Sequence, residues 1–171
     1  MLPPTYKYAR SVAIAAALLL TGGARAQAPF SLPEIDRIVV RKAARVMELY
    51  SGAKRVRTIT AIQLGDVPIG HKHFEGDERT PEGRYTIDYG NPDSGYHLSL
   101  HISYPNDADR AYAEAQGRSP GGMIFIHGQP NGLPFGRVPG DWTDGCIAVS
   151  NDEMEALWEA VPDGTGIDIL P

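Results

Sequence analysis

Short apolar runs that end near glycine or proline recur along the chain after residue 36, and they constrain the fold more than any other feature. Several runs alternate apolar and polar side chains, which is the pattern of a half-buried strand. The 171 residues include 19 glycines and 14 prolines, many of them between the runs, where turns are expected. The predicted strands are residues 37–42, 45–51, 54–64, 84–90, 96–105, 121–128, 146–150 and 166–170.

Two segments have the features of short helices. Residues 107–116 are rich in alanine, and residues 151–161 follow Ser150, which is placed to form a capping box with Glu153. The apolar residues of the second helix share one face, so we expect core packing from Met154, Leu157, Trp158 and Val161. The chain therefore predicts one mainly β domain over residues 37–171, with one or two short helices.

The first 26 residues are of a different kind. Lys7 and Arg10 precede an apolar run at 11–20, and a small-residue pattern follows at 24–26. This is the composition of a secretory signal peptide, and it predicts cleavage after residue 26, a linker over 27–36, and a secreted protein that is periplasmic or cell-wall associated. A retained membrane anchor is the weaker alternative, because the run is short for a hydrocarbon core of roughly 30 Å.

The charge balance disfavours a nucleic-acid partner. The formal net charge is −5, and removal of the signal segment, which holds three basic residues and no acidic one, lowers it to −8. Phosphate backbones are bound by clustered lysine and arginine. An acidic mature chain does not favour that class of function.

Cys146 is the only cysteine of the chain. An exported protein normally pairs its cysteines, but a single one has no partner within the chain. It is either a small buried hydrophobic residue or a working thiol. His127 has the same two interpretations, structural or catalytic. Both residues lie where an apolar strand meets a Gly/Pro-rich loop, a usual place for reactive groups.

A cysteine nucleophile that acts on an acyl group needs a base, an orienter for that base, and backbone donors for the oxyanion. His127 is the candidate base, and the carbonyl of Gly128 lies beside it in sequence. Gly145 allows a tight turn before Cys146, so the amides of Gly145 and Cys146 are candidate oxyanion donors.

The pattern that joins these residues resembles a known signature. His127-Gly128 is followed, after residues 129–142, by Thr143-Asp144-Gly145-Cys146. This resembles the motif of the L,D-transpeptidase catalytic domain, the YkuD-like family, in which a His and a spacer precede Ser or Thr, His, Gly and Cys. The stretch "RTPEGRYTI" at 79–87 is similar to the Thr-Pro-x-Gly turn of that family.

The resemblance implies a fold and roles for the motif residues. It implies a mainly β domain built on a mixed sheet or sandwich. Cys146 would be the nucleophile, His127 the general base and acid, and the Gly128 carbonyl the orienter of the imidazole. Residue 144 departs from the motif, because Asp144 stands where the family has histidine. A carboxylate near the sulfur disfavours the thiolate, although Asp144 is also suited to hold the loop through backbone amides.

The resemblance also implies an activity: an exported cysteine acyltransferase that acts on peptidoglycan stem peptides. Cys146 would attack the carbonyl of the third stem residue, release D-Ala and form a thioester, which an amine of another stem or of a wall-attached protein then resolves. Water as the acceptor would give a carboxypeptidase or amidase instead. A catalytically silent wall-binding module is the alternative outside the enzymes, and Asp144 is its main support.

Other enzyme families fit less well. A sortase requires an arginine after its cysteine, and residues 147–171 contain neither arginine nor lysine. Papain-like and amidase-type peptidases place the cysteine before the histidine, which is the reverse of the order here. We expect no cofactor, since His127 can move the one proton of each half-reaction, and a monomer is the default for a small exported enzyme.

The remaining candidates lie in and near a long loop predicted at residues 65–83. We expect this loop to act as a lid over the groove, and its acidic residues to form a solvated surface or to contact an amine. Its His71 and His73 form a poor zinc pattern, so no metal site is predicted. We expect the substrate groove to be lined by Arg79, His101, Tyr104 and Asp144, for which ordinary surface roles are the alternative.

Overall fold

Eight strands form one mixed sheet in the computed structural model, which describes residues 32–171. The strands are β1 (Arg37–Arg41), β2 (Val46–Ser51), β3 (Lys54–Thr60), β4 (Gly83–Asn91), β5 (Ser99–Ile102), β6 (Ile124–His127), β7 (Ile147–Ala148) and β8 (Gly166–Leu170). Two helices, α1 (Asp107–Ala115) and α2 (Asn151–Ala160), complete the domain. The prediction of a mainly β domain with short helices is confirmed. The signal-peptide prediction lies outside the described residues.

The strand order is β3-β2-β1-β8-β4-β5-β6-β7. The pairs β1–β8 and β6–β7 are parallel and the other neighbours are antiparallel, so the sheet is mixed. The two edges of the sheet approach one another, because Gln63, just after β3, exchanges backbone hydrogen bonds with Ala148 of β7. The sheet therefore curls around its core.

Four strands, β3, β5, β6 and β7, are clearly shorter than the predicted runs at 54–64, 96–105, 121–128 and 146–150, and the cause is visible in β3 and β7. The run at 54–64 leaves the ladder after Thr60, because Ala61 adopts a left-handed conformation (φ 54°) that turns the chain. The run at 146–150 gives only two strand residues, since Ser150 is the N-cap of α2. In both places the apolar residues are still buried, so the hydrophobic pattern reports burial rather than ladder hydrogen bonding.

Helix α2 covers one face of β5 and β6. The predicted capping box is present: the Ser150 hydroxyl accepts from the Glu153 amide, and the Glu153 carboxylate accepts from the Ser150 amide. Met154 and Leu157 are fully buried, and Trp158 packs against the same core. Full burial of each aliphatic side chain contributes about 1.5–3 kcal/mol. This face is called the inner face below, and the opposite face of β4–β7 is the outer face.

The loop at 65–83 is fastened by two buried lysines. Lys42, in the turn after β1, donates to the carbonyls of Gly70 (2.6 Å) and Thr80 (2.8 Å) and to the Glu82 carboxylate (2.9 Å). Lys72 forms an ion pair of 2.9 Å with Asp77, and both are buried. These bonds favour a fixed wall over the moving lid that the sequence suggested.

No helix within residues 32–171 has the length and apolar character to cross a membrane.

Candidate active site

The register of β6 and β7 brings His127 and Cys146 together. Ile126 pairs with Ile147 in this parallel ladder, so Phe125 lies opposite Cys146. Because alternate strand residues point to opposite faces, Phe125, His127 and Cys146 share the outer face. His127 and Cys146 both line a cleft of about 540 Å³. The pairing of these two residues was the central prediction from the sequence, and the structure places them in one cleft.

The imidazole of His127 is held in one orientation. Its Nδ1 lies 2.7 Å from the carbonyl oxygen of Gly128. A carbonyl only accepts, so Nδ1 carries the proton and Nε2 is left with a lone pair. The ring is packed between Tyr96, at 4.6 Å between ring centroids, and Trp142, at 5.6 Å. Burial lowers the pKa of His127, although the bond to Gly128 acts in the opposite direction.

The Cys146 sulfur is partly buried and lies against β6. The Phe125 amide donates to Sγ at 3.4 Å, and Sγ lies 3.7 Å from the Met123 carbonyl oxygen, a contact suited to the thiol proton. Burial raises the pKa of Cys146 to about 11, the Phe125 amide opposes this change, and the Asp144 carboxylate adds to it. The resting pair is therefore a neutral thiol beside a neutral imidazole.

Gly145 is required by the backbone rather than by the chemistry. Its φ of +127° is a conformation that side chains disfavour, and a Cβ there would lie 2.5 Å from the Arg79 carbonyl oxygen. Its amide donates to the Thr143 hydroxyl (3.2 Å), which itself donates to the Cys146 carbonyl (2.7 Å). The Gly145 amide, one of the two predicted oxyanion donors, is therefore engaged within its own turn.

Glycine is also required at position 128, for a steric reason. A Cβ at this position would lie 2.6 Å from the Asn151 side-chain oxygen and 2.9 Å from Cβ of His97. The absence of a side chain thus lets the segment after β6 pass close to the start of α2. That approach is what holds the Gly128 carbonyl beside the imidazole of His127.

The four predicted groove residues have different locations. Asp144 is exposed and borders both the cleft and a second pocket of about 810 Å³. His101 contacts the cleft indirectly, through the ring of Phe125 at 4.9 Å. Arg79 does not line the cleft, because its Nε donates to the carbonyl of Ile69 within the loop.

Tyr104 does not reach the cleft either. It is 2% exposed, and its hydroxyl donates to the carbonyl of Pro120 (3.0 Å). Burial raises its pKa well above the ordinary value. The predictions for Arg79 and Tyr104 are therefore wrong in place: one side chain stabilises a loop and the other belongs to the core.

The imidazole of His71 is fully engaged in hydrogen bonds. Its Nδ1 accepts from the Glu82 amide (2.9 Å), so Nε2 carries the proton and donates to Asp109 (3.0 Å). Within residues 32–171, no group of three His, Cys, Asp or Glu side chains is arranged to hold a metal ion.

Sequence reasoning missed the network that fixes the loop after His127. The Gln129 side chain donates to the Val149 carbonyl (2.7 Å) and accepts from the Val138 amide (2.9 Å), while the Gln129 amide donates to Asn151 (2.8 Å). Gln129 is 1% exposed. A further partner is the side-chain oxygen of Gln63, so the partners lie 9 to 66 residues away in sequence and no local pattern indicates them.

Comparisons with known proteins agree with this geometry. The family model of the L,D-transpeptidase catalytic domain (YkuD) matches residues 35–169. No curated protein sequence matches the chain at a significant level. Among solved structures, the helical cell shape determining protein Pgp2 from Campylobacter jejuni is 29% identical, with a TM-score of 0.63, over 84% of this chain and 51% of that one.

Two further structures extend the comparison. Bd1075 from Bdellovibrio bacteriovorus is 25% identical with a TM-score of 0.54, over 84% of this chain and 53% of that one. An L,D-transpeptidase from Mycobacterium smegmatis is 14% identical with a TM-score of 0.52, over 78% and 58% respectively, a likeness that shows the fold alone. The chain spans about half the length of the first two structures.

Proposed function

The chain belongs to the L,D-transpeptidase catalytic domain family, and from this premise we propose that it is an exported peptidoglycan L,D-transpeptidase with Cys146 as its nucleophile. The observation that carries the proposal is the shared outer face of β6 and β7, where an oriented His127 and the Cys146 thiol line one cleft. Neither residue alone distinguishes catalysis from structure, but their convergence at a solvent-reachable cleft is what acyl transfer requires.

The first half-reaction uses the neutral pair. The Sγ–H proton passes to Nε2 of His127 as the sulfur attacks the carbonyl carbon of the third stem residue. The Cys146 amide is placed to donate to the oxyanion. The C–N bond to D-Ala then breaks, and the departing amine takes the proton from Nε2. The products are an acyl-thioester on Cys146 and free D-Ala.

The second half-reaction reverses the proton path. An acceptor amine attacks the thioester carbonyl and gives a proton to Nε2 of His127, which returns it to the sulfur as the C–S bond breaks. The acceptor is an amine of a second stem or of a wall-attached protein. With water in its place the same steps give an L,D-carboxypeptidase. The mechanism uses no cofactor.

The likeness to Pgp2, which determines helical cell shape, supports a role in cell-wall remodelling that affects shape. The signal-peptide pattern of residues 1–26 supports export to the periplasm or cell wall. We assign the protein to that compartment as a monomer, acting on stem peptides there.

The test is incubation of the purified protein with a disaccharide tetrapeptide, followed by mass spectrometry of the products. We expect release of D-Ala and a crosslinked dimer from the wild-type protein. Cys146→Ser and His127→Asn should abolish both products while they leave the melting temperature within a few degrees. Release of D-Ala without a dimer would identify water as the acceptor.

A silent wall-binding module is the second candidate, and the raised pKa of Cys146 beside Asp144 favours it. A carbapenem distinguishes the two. Covalent addition at Cys146 that depends on His127 supports the enzyme. The absence of an adduct, together with equal binding of sacculi by the wild type and Cys146→Ala, would refute the enzyme and favour the silent module.

A further inference from the structure

A row of side chains crosses the outer face of the sheet and ends at the nucleophile. Tyr89 of β4 pairs with His101 of β5, His101 pairs with Phe125 of β6, and Phe125 lies opposite Cys146. The rings are in contact. Tyr89 stacks on His101 at 4.5 Å with an interplanar angle of 16°, and His101 meets Phe125 edge-on at 4.9 Å. We call Tyr89, His101 and Phe125 the aromatic row.

A bulge in β4 creates this row. The register between β4 and β5 shifts between Ile87 and Tyr89. Ile87 is fully buried against the core, and a regular strand would direct Tyr89, two residues later, to that same face. The extra residue, Asp88, moves Tyr89 to the outer face, where it is 40% exposed. Bulges that redirect a side chain are common beside active sites.

The polar groups of the row are arranged for a neutral ligand. The Asp88 carboxylate lies 2.6 Å from Nδ1 of His101, so its charge is already engaged by the imidazole. Among the residues that the structure describes, Tyr89 Oη and His101 Nε2 have no hydrogen-bond partner. The surface thus offers an aromatic face and hydrogen-bonding groups without an unpaired ionic partner. This combination suits a hydroxylated ring, whose C–H face packs on the aromatic side chain.

The row continues the cleft of the proposed transpeptidase. Phe125 lines the cleft, as does Asn91, which follows Tyr89 by two residues on the same strand. Neighbouring strands are about 4.8 Å apart, so Tyr89, three strands from Cys146, lies about 14 Å from it. Three extended stem residues span about 10 Å. The lactyl group that joins a stem to its sugar, together with the width of the sugar ring, covers the remaining distance of about 4 Å. A stem that runs from Cys146 across β6 and β5 therefore places its sugar within reach of Tyr89.

We propose that Tyr89, His101 and Asp88 form a subsite for a sugar ring of the glycan strand that carries the donor stem. This inference rests on the proposed function and deepens it, because it makes the glycan part of what the enzyme recognises. It predicts that the protein prefers stems attached to sugar over free stem peptides.

The kinetic test compares a disaccharide tetrapeptide with the free tetrapeptide. We expect the wild-type kcat/KM to be roughly tenfold higher for the disaccharide form, the scale of one well-packed aromatic contact. Tyr89→Ala should reduce this ratio to near 1. Tyr112→Ala, which removes an exposed tyrosine of α1 that does not line the cleft, should keep the wild-type ratio. Equal kcat/KM values in the wild type, or an unchanged ratio in Tyr89→Ala, would overturn the subsite.

A binding experiment separates failure of this inference from failure of the proposed function. The probe is the N-acetylated disaccharide without peptide, titrated by NMR into the wild type and into Tyr89→Ala. Chemical-shift changes at Tyr89 and His101 in the wild type, with an affinity for the disaccharide about tenfold lower in the variant, support the subsite even if neither substrate turns over. The subsite is refuted if tens of millimolar disaccharide cause no chemical-shift changes on this surface, or if only a cationic peptide causes them.

Discussion

The thiol of Cys146 should remain protonated throughout the neutral pH range, and this can be measured directly because the chain has one cysteine. Burial raises its pKa from 9.0 to about 11, and the Asp144 carboxylate acts in the same direction. About one molecule in ten thousand then carries a thiolate at pH 7, compared with about one in a hundred for a pKa of 9. His127 stays neutral at this pH, since its pKa is lowered by burial, and provides no imidazolium to stabilise the thiolate.

The assay is the rate of alkylation by iodoacetamide, followed by intact-protein mass spectrometry from pH 6.5 to 10.5. We expect the rate to rise about tenfold per pH unit up to pH 10, with no plateau near pH 8. Asp144→Asn should move the whole profile to lower pH by less than one unit, because Asp144 is exposed and solvent screens its charge. Asp66→Asn is the matched control for loss of a carboxylate, as Asp66 lies outside the cleft lining.

Two results would refute the reasoning. A rate that levels off below pH 8.5 would mean that the thiolate is stabilised in the folded protein. A lower alkylation rate at pH 7 in His127→Asn than in the wild type would reveal a thiolate–imidazolium pair, provided that the wild-type rate also falls with the protonation of a histidine. Either outcome would require a hydrogen-bond donor at Sγ stronger than the Phe125 amide.

Three further changes test the site and its supports. The acid limb of kcat/KM should have its midpoint below pH 6.5, because His127 must be neutral to accept a proton and its pKa is lowered; a midpoint above 7 would contradict this. Gly145→Ala should cost at least about 2 kcal/mol in urea unfolding, from its positive φ and its close backbone contact, whereas Gly52→Ala, with φ +58° and open space, should cost about 1 kcal/mol. Lys42→Met should lower stability by about 3 kcal/mol because it leaves one buried and two partly buried acceptors without their donor, and Lys54→Met, which is exposed, should change it little; equal melting temperatures would refute the anchoring role.

Local patterns were sufficient for most of the framework. Alternation located the strands, and the capping box located the start of α2, because both signals lie within a few residues of one another. The spacing between His127 and Cys146 pointed to a shared site, and the parallel pairing of β6 with β7 supplies the geometry. These inferences succeed where the interaction that shapes the structure is short in sequence or already encoded in a motif.

Long-range packing limited the remaining predictions. Lys42 is a charged residue at the end of the predicted strand 37–42, but it is buried because its acceptors come from residues 28 to 40 positions later. The error at Tyr104 was one of local reasoning, because Tyr104 has the same strand parity as the buried Leu100 and Ile102 and lies in the core with them. The bulge before Tyr89 has no signature in its own sequence, so the outer face it creates could be found only from the register.

Orientation of the base and acidity of the thiol are controlled by different residues at this site. The base is held by the Gly128 carbonyl, so its orientation does not depend on residue 144. Asp144 raises the pKa of the thiol, and it does so from an exposed position where its effect is screened. A thiol of higher pKa gives fewer thiolates but each is a stronger nucleophile, with a Brønsted coefficient of about 0.4–0.5. Burial causes most of the rise in the thiol pKa, and Asp144 adds less than one unit to it. Because fewer thiolates and higher nucleophilicity partly offset, Asp144 should slow acylation by clearly less than tenfold.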